Sequence, residues 1–338
     1  MKKFLKFWSK YGMFALLFVL IALFGILRPQ AFLSKATFLN ILRQASIIGT
    51  IACGIMMLIV TGATDISAGG RCSFIVCVAG YMAVAGVNVW LIVLFCIATG
   101  AVTAACNAIL AETLHTSVFV VSIATNNMWM GLSYILTKGV MIRGFGDDIK
   151  AIAQTKVIGD IPSIAVVWLV CILIATFIMS YTRFGRHVYA LGGNRGAAFL
   201  AGINVVKTNI LTHTIAGCFL GVGALLYLSR AMTANAGIGA TYSFDCITAC
   251  VLGGVMLGGG RGKVYQAVLG ILVTYTLFNG LVICGVSDFV RQVLTGVLLL
   301  FAIWMEVQIR NAKIDLTDDT AGGADAKKKE DKAVEAAK

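Results

Sequence analysis

The chain contains 338 residues, of which 59% are hydrophobic and 12% are charged, and it carries a net charge of +12. A soluble domain has about 25% charged residues, so this chain has too little charge to solvate the surface of a globule of its size. The composition therefore excludes a pair of soluble domains, a disulfide scaffold and a largely disordered chain. It predicts an all-α, polytopic membrane protein with its apolar surface in lipid.

Membrane-spanning helices are predicted wherever about 17–25 residues contain few charges. The uncharged stretch Cys72–Ala111 is too long for one crossing, and Gly86 and Asn88 mark a break between two helices within it. Further segments each fit one helix: Tyr11–Leu27, Ala45–Ala63, Thr116–Thr137, Ile161–Thr182, Ile210–Ser229, Cys246–Leu257, Val264–Cys284 and Phe289–Met305. The sequence thus predicts about ten transmembrane helices.

Lysine and arginine in short loops mark the cytoplasmic side of a membrane protein. Lysines precede the first predicted helix, and the loop 183–209 contains basic residues but no acidic one. With ten helices, both segments and the carboxyl terminus lie in the cytoplasm. Three bases of the first outer loop do not follow the rule: Arg28, Lys35 and Arg43.

The carboxyl-terminal segment 311–338 differs in composition from the membrane domain, which we place over 1–310. The segment is rich in Ala, Lys, Asp and Glu and has no aromatic residue, so it is predicted to be a disordered polar tail. Lys327–Lys329 could contact anionic membrane lipid, although a solvated tail is the favoured interpretation. The basic residues are spread over short loops and are not interleaved with aromatic ones, so no nucleic-acid partner is expected.

The glycine-rich segment Gly253–Val264 invites comparison with a phosphate-binding loop. A Walker A loop requires Gly, four residues and then Gly-Lys-Ser/Thr, but here Leu257 stands at the first glycine position and Val264 replaces the hydroxyl residue. We interpret the segment as a tight turn between packed helices, with Gly254 and Gly258 as a small-residue contact. No ATP site is therefore expected in this chain. No metal site or other cofactor is expected either, because the three histidines are scattered along the sequence.

The basic loop contains a short predicted helix, Arg195–Ala201, of about two turns. Asn194 is a favourable N-cap and Gly202 a favourable residue just beyond the carboxyl end. Ala197 and Ala198 would form a smooth face on this helix. A capped helix on the cytoplasmic side could be gripped by a soluble partner.

The loop segment GGNRGAAFLAGINV (192–205) resembles the GGN-x-x-A-A-x-x-x-G-I-N-V segment of sugar-type ABC importer permeases, the ribose, xylose and methyl-galactoside group. Asn107 is similarly placed to a glycine-bracketed asparagine of that group. Three more segments match in the same order: TGATDISAG (Thr61–Gly69), DCITACVLGGVMLGGGRG (Asp245–Gly262) and NGLVICGVS (Asn279–Ser287). The resemblance covers about residues 37–306, nearly the whole membrane domain.

The resemblance implies a transport subunit of the bacterial cytoplasmic membrane, not an enzyme. Such permeases work as a homodimer or with a closely related second permease, with a tandem cytoplasmic ATP-binding subunit that uses ATP and Mg, and with an external sugar-binding protein. The loop 183–209 would couple the permease to the ATPase. The coupling residues implied are Arg186, Gly192, Gly193, Asn194, Ala197, Ala198, Gly202 and Asn204.

A path for a monosaccharide requires hydrogen-bonding groups and an aromatic face within an apolar cleft. The candidates are Asp65, Asn107, Asn126, Asn127, Trp129 and Asn279. Any one amide has the alternative role of packing helices together, and the same holds for the isolated His213. Asp65 has Arg71 six residues away, and the two form either a buried pair or a cap at the membrane interface.

The resemblance does not identify which sugar is transported. Within the group that the chain resembles, TDISAG followed by Arg71 and the residues around Cys250 favour the methyl-galactoside type over the ribose type. A nucleoside importer of the same architecture is the main alternative. An ion-coupled secondary transporter would place carboxylates within the spans, whereas those of this chain lie near the ends of the predicted helices.

Overall fold

The computed structural model describes residues 2–287, 289–290, 292–304 and 307–308. Its helices are α1 (Lys2–Leu27), α2 (Pro29–Phe32), α3 (Lys35–Val60), α4 (Ala68–Val84), α5 (Val89–Thr113), α6 (Val118–Thr137), α7 (Asp147–Gln154), α8 (Ser163–Tyr181), α9 (Arg183–Gly193), α10 (Arg195–Leu200), α11 (Val205–Ala231), α12 (Tyr242–Leu252), α13 (Val264–Ile283) and α14 (Gln292–Trp304). Between α7 and α8, β1 (Lys156–Ile158) and β2 (Ile161–Pro162) form a small antiparallel hairpin. The predicted tail, 311–338, lies outside the described residues.

The prediction of an all-α, polytopic membrane protein is confirmed. Within the described residues, six helices of 19 to 27 residues are long and apolar enough to cross a bilayer, namely α3, α5, α6, α8, α11 and α13. The other predicted segments fall on four shorter apolar helices. These are α4, α12, α14 and the part of α1 from Gly12 to Leu27. The predicted break at Gly86 and Asn88 is present, because Gly86 has φ +71° and the Asn88 side chain caps α5. All ten cysteines are free thiols.

Several predicted segments have different boundaries in the structure, and two of these differences have a clear local cause. Helix α3 begins at Lys35, ahead of the predicted Ala45, because the Ser34 hydroxyl accepts a hydrogen bond from the Thr37 amide at 3.2 Å and caps the helix. Helix α12 ends at Leu252, before the predicted Leu257. Beyond it, Gly254 has φ +97°, a conformation that ends a helix.

Helices α3 and α11 form the centre of the bundle. From Ala45 to Val60 every residue of α3 is buried, and α3 packs against α8, α11, α12 and α13. Helix α11 approaches α5 very closely, since a Cβ on Gly100 would lie 2.2 Å from the Gly217 carbonyl oxygen. Small residues allow such close contact between membrane helices, so the pairing of α5 with α11 depends on glycine.

Tertiary contacts sort the helix ends into two opposite faces, which we call the α3-start face and the α3-end face. On the α3-start face, Lys35 forms an ion pair with Asp160, and Lys156 lies 2.9 Å from the same carboxylate. The end of α11 meets this face too, since Arg230, in the last turn of α11, donates a hydrogen bond to Asn40, near the start of α3, at 3.3 Å. Lys35, one of the bases that did not fit the charge rule, is thus neutralised by an acidic partner.

Candidate functional sites

A buried ion pair joins the irregular segment between α3 and α4 to the first turn of α4. Arg71 Nη2 lies 2.5 Å from Asp65 Oδ2, and the two residues are 3% and 2% exposed. The other carboxylate oxygen of Asp65 accepts hydrogen bonds from the Ser67 amide at 2.8 Å and the Ser67 hydroxyl at 2.6 Å. Of the two alternatives for Asp65 and Arg71, the geometry favours the buried pair over the interfacial cap.

Side chains from three other helices hydrogen-bond to this segment and to the first turn of α4, those of α6 and α12 to the backbone and that of α5 to a side chain. The Gly70 amide donates to Asn126 Oδ1 of α6 at 2.8 Å, and the Gly69 amide donates to the Ser243 hydroxyl of α12 at 3.0 Å. Asn107 of α5 donates to the Ser67 hydroxyl at 2.7 Å. Non-helical backbone at membrane depth requires such partners, because lipid offers none. The Asp65–Gly70 segment is therefore held by hydrogen bonds on all sides.

The predicted path residues fall in different places. Asp65, Asn107 and Asn126 come together around the α3–α4 segment, where Asp65 and Asn107 are buried and line no open space. Asn127 is exposed on α6. Trp129 is half-buried and packs against Phe74 in a tilted arrangement, with ring centroids 4.9 Å apart.

The last path candidate, Asn279, lies at the α3-start face instead. Its Oδ1 accepts hydrogen bonds from Asn40 Nδ2 at 3.0 Å and from Gln44 Nε2 at 3.3 Å. Sequence reasoning missed Asn40 and Gln44, and it missed Arg230, which donates to Asn40 Oδ1 at 3.3 Å. The available signal was the spacing of Asn40 and Gln44, since residues four apart share one face of a helix.

In the basic loop, three predicted residues act as helix caps or turns. Asn194 Oδ1 accepts a hydrogen bond from the Ala197 amide, and Asn204 Oδ1 accepts one from the Lys207 amide, both at 2.9 Å. Gly202 has φ +80°, which suits the end of α10. The predicted helix is present as Arg195–Leu200, and Arg186 is exposed on α9.

The predicted smooth face of Ala197 and Ala198 needs correction. Ala197 is exposed, but Ala198 is only 4% exposed and packs inward. The apolar surface that α10 presents is instead formed by Phe199 and Leu200, which are 69% and 86% exposed. Ala198 is the buried residue of this six-residue helix, so it forms the side of α10 that faces the bundle.

Helix α10 is attached to the membrane helices through an ion pair. Arg195 Nη2 donates to both carboxylate oxygens of Glu112, at 2.7 and 2.9 Å, and Glu112 stands near the end of α5. Asn209 of α11 donates to the same carboxylate at 2.8 Å. A cavity of about 540 Å³, lined in part by Thr64, Glu112, His115 and Arg195, opens beside this contact.

Gly192, at the end of α9, is in backbone contact with α3 and the glycine-rich segment. A Cβ on Gly192 would lie 1.8 Å from the Val60 carbonyl oxygen and 2.6 Å from the Gly260 nitrogen. The Gly260 amide donates to that same Val60 oxygen at 2.8 Å. The Tyr189 hydroxyl also donates to the Gly262 carbonyl at 2.6 Å. We call this contact among Val60, Gly192 and Gly260 the glycine junction.

The predicted small-residue contact of Gly254 and Gly258 is wrong. A Cβ on Gly258 would meet nothing within 4 Å, and one on Gly254 would meet only the Gln266 side chain. The close approach of α12 and α13 depends instead on Gly253 and Gly270, whose Cβ atoms would lie 2.0 and 1.8 Å from carbonyl oxygens of the facing helix.

Among the described residues no group of three His, Cys, Asp or Glu side chains is placed to hold a metal ion. His213 is fully buried in α11, where its Nδ1 lies 2.9 Å from the Asn209 carbonyl oxygen. This contact fits a packing role for the histidine, one of the alternatives that the sequence left open.

Comparison with known proteins identifies the family. The family described as "branched-chain amino acid transport system / permease component" matches residues 37–303. The chain belongs to this family. It is 35% identical to the ribose import permease protein RbsC of Bacillus subtilis, over 88% of this chain and 92% of that protein. The predicted resemblance to sugar-type ABC importer permeases is thereby confirmed.

Two further relatives are named for different sugars. The D-allose transport system permease protein AlsC of Escherichia coli is 29% identical over 89% of this chain and 92% of its own length. The galactose/methyl galactoside import permease protein MglC of Salmonella typhimurium is 29% identical over 90% of this chain and 96% of its own length. No solved structure matches. Family and helices together make the chain a multi-pass protein of the inner membrane.

Proposed function

We propose that this chain is the permease subunit of an ATP-driven importer and forms the translocation pathway for a monosaccharide. The observation that carries the proposal is the likeness to import permeases named for ribose, allose and galactose, which extends over nearly the whole of each relative. In this role the chain hydrolyses no ATP itself. A tandem ATP-binding subunit supplies the energy, and an extracytoplasmic sugar-binding protein supplies the ligand.

The proposed topology has ten crossings with both termini in the cytoplasm. The α3-end face, to which α9 and α10 belong, is then cytoplasmic, and the α3-start face is external. The basic residues of α9 and α10, Arg183, Arg186 and Arg195, support this assignment. The pairing of Lys35 with Asp160 supports it as well, because it reduces the excess positive charge on the external face.

Helix α10 is the proposed contact with the ATPase. The exposed side chains of Phe199 and Leu200 form an apolar knob that the ATPase could contact. Asn194 and Gly202 fix the two ends of the helix that carries this apolar knob. The Glu112–Arg195 ion pair and the glycine junction lead from α10 and α9 into α5 and α3. A movement of the ATPase would thus reach the membrane helices through two separate contacts.

A second permease subunit, either another copy or a close relative, completes the proposed pathway. Helix α6 supports such pairing, because it presents Asn127 among many exposed apolar residues. A lone exposed amide at membrane depth is costly in lipid and is favoured in a helix contact.

The test is reconstitution of the permease with its ATPase and binding protein in lipid vesicles. The substrate panel contains galactose, methyl galactoside, ribose, xylose and allose, together with a nucleoside and leucine. We expect uptake of one of the monosaccharides, and ATP hydrolysis that the loaded binding protein stimulates. Uptake of the nucleoside or leucine alone, or uptake driven by an ion gradient without ATP, would contradict the proposal.

A further inference from the structure

Four polar side chains meet at the α3-start face, among helices that are otherwise apolar. They are Asn40 and Gln44 of α3, Arg230 of α11 and Asn279 of α13, and we call them the amide–arginine cluster. Hydrogen bonds join them in a chain, from Arg230 to Asn40 and from Asn40 and Gln44 to Asn279. Asn279 is itself fixed by donating to the Tyr275 carbonyl at 2.9 Å.

The cluster retains capacity to bind a ligand. A guanidinium has five N–H donors, and the hydrogen bond to Asn40 uses one of those on Arg230. Among the described residues no carboxylate lies within ion-pair distance of Arg230 or of the nearby Arg43. A half-buried guanidinium in an apolar bundle requires partners. The carbonyl oxygen of Gln44 adds an acceptor beside these donors.

Aromatic rings complete the surroundings of Arg230. Tyr227 and Tyr242 pack together with ring centroids 6.2 Å apart, and Tyr227 lies three residues before Arg230, on the same face of α11. Tyr242 also lines a cavity of about 480 Å³ with Thr241, Asp245 and Gln292, whereas none of the four cluster residues lines it. Tyr242 is thus the contact between this cavity and the turn of α11 that carries Arg230. Cavities of this size hold small molecules, and a few polar groups on apolar walls orient the ligand.

We propose that the amide–arginine cluster and Tyr242 form a binding site for a monosaccharide in transit, a proposal that rests on the function proposed above. Vicinal hydroxyl groups accept from the Arg230 guanidinium and donate to the Gln44 carbonyl, and the apolar face of the sugar ring packs on Tyr242. The site differs from the buried Asp65 and Asn107 in that Asn40, Gln44, Arg230 and Tyr242 are partly exposed, while Asn279 is buried behind them. It lies where a ligand released at the external face would first meet the bundle.

The test uses a cysteine at Thr241, which lies beside Tyr242 and outside the cluster. The accessible cysteines Cys106, Cys218 and Cys284 are replaced by alanine, and the purified permease in lipid nanodiscs is treated with a small methanethiosulfonate reagent. We expect millimolar D-galactose or D-ribose to slow the reaction of Thr241→Cys severalfold, because the bound sugar covers the thiol. Leucine at the same concentration is expected to have no effect.

Two second-site variants locate the effect. Arg230→Gln removes hydrogen bonds from a charged donor, so the sugar concentration that gives half-protection should rise about tenfold. Arg28→Gln removes the same charge from an exposed site near the start of α2 and should leave protection unchanged. Normal size-exclusion profiles for both variants show that they are folded.

The proposed site would be refuted if neither sugar protected the Thr241→Cys thiol. It would also be refuted if Arg230→Gln left the protection unchanged. The vesicle assay keeps this result apart from the proposed function. Wild-type sugar uptake without protection would refute the site alone, whereas protection and uptake specific to leucine would refute both the site and the function.

Discussion

Arg71 and Asp65 form an ion pair 2.5 Å long that is almost completely buried between α3 and α4. The pair is not isolated, since Ser67 bonds the same carboxylate and Asn107 bonds Ser67. Two nitrogens of Arg71, Nε and Nη1, have no hydrogen-bond partner within the described part of the chain. The pair therefore stabilises an unwound segment while leaving part of the guanidinium without a partner.

Removal of one partner of this pair should destabilise the protein strongly. A buried charge left without its partner costs about 3–5 kcal/mol, so Asp65→Asn should lower the midpoint of thermal unfolding in detergent. Asp65→Asn combined with Arg71→Met removes both charges and should recover much of the loss. If the single variant unfolds at the wild-type temperature, the pair contributes nothing to stability.

The glycine junction should tolerate no side chain at Gly192. Gly192→Ala places a methyl group against the Val60 carbonyl, and overpacking of this kind costs about 1–3 kcal/mol. We expect a lower unfolding midpoint and weaker coupling of ATP hydrolysis to uptake. Gly193→Ala is the matched control, because a Cβ on Gly193 would meet nothing within 4 Å. Equal behaviour of the two variants would exclude a role for the junction.

The apolar knob of α10 should be required for binding of the ATPase. Leu200→Glu changes a side chain that is 86% exposed, so the permease should fold normally but fail to co-purify with its ATP-binding subunit. Leu33→Glu makes the same change at an exposed position of the opposite face and should leave co-purification intact. Ala198→Glu is less informative, because it would bury a charge. Normal co-purification of Leu200→Glu would refute the docking role.

The loops of the α3-start face should loosen in acid because of Asp160. Hydrogen bonds from Lys35 and Lys156 lower the pKa of the Asp160 carboxyl to about 2, below its ordinary value of about 3.9. A lowered pKa in the folded state gives stability that is present above pH 4 and is lost as the pH falls from about 4 to 2. Amide hydrogen exchange in the β1–β2 hairpin, expressed relative to the rate of an unstructured peptide at the same pH, should therefore increase over this range.

Asp160→Asn provides the control for this acid transition. The variant keeps the shape of the side chain but cannot titrate, so exchange in the hairpin should be faster at neutral pH and should not change further between pH 4 and 2. A wild-type exchange rate that is flat over the same range would show that the contacts of Lys35 and Lys156 do not persist in solution.

The family and the membrane segments could be predicted from sequence because both depend on local patterns. Long runs without charge predict apolar helices, and Gly86 with Asn88 predicts the break between α4 and α5 because a turn and a cap require those residue types. The capping roles of Asn194 and Gly202 follow from the same rules. Gly254 and Gly258 were misassigned because spacing alone does not say which glycines of a rich segment face another helix.

The buried Asp65–Arg71 pair, the glycine junction and the amide–arginine cluster were decided by tertiary structure. Val60, Gly192 and Gly260 are far apart in the chain, and so are Asn40 and Arg230, so no periodicity or cap relates them. Their contacts exist because helix ends from distant segments meet at the same face of the bundle. By itself the sequence determined that this chain lies in the membrane and belongs to a permease family. Packing decided which polar residues hold the bundle together and which stay free to bind a ligand, because burial depends on every neighbouring helix at once.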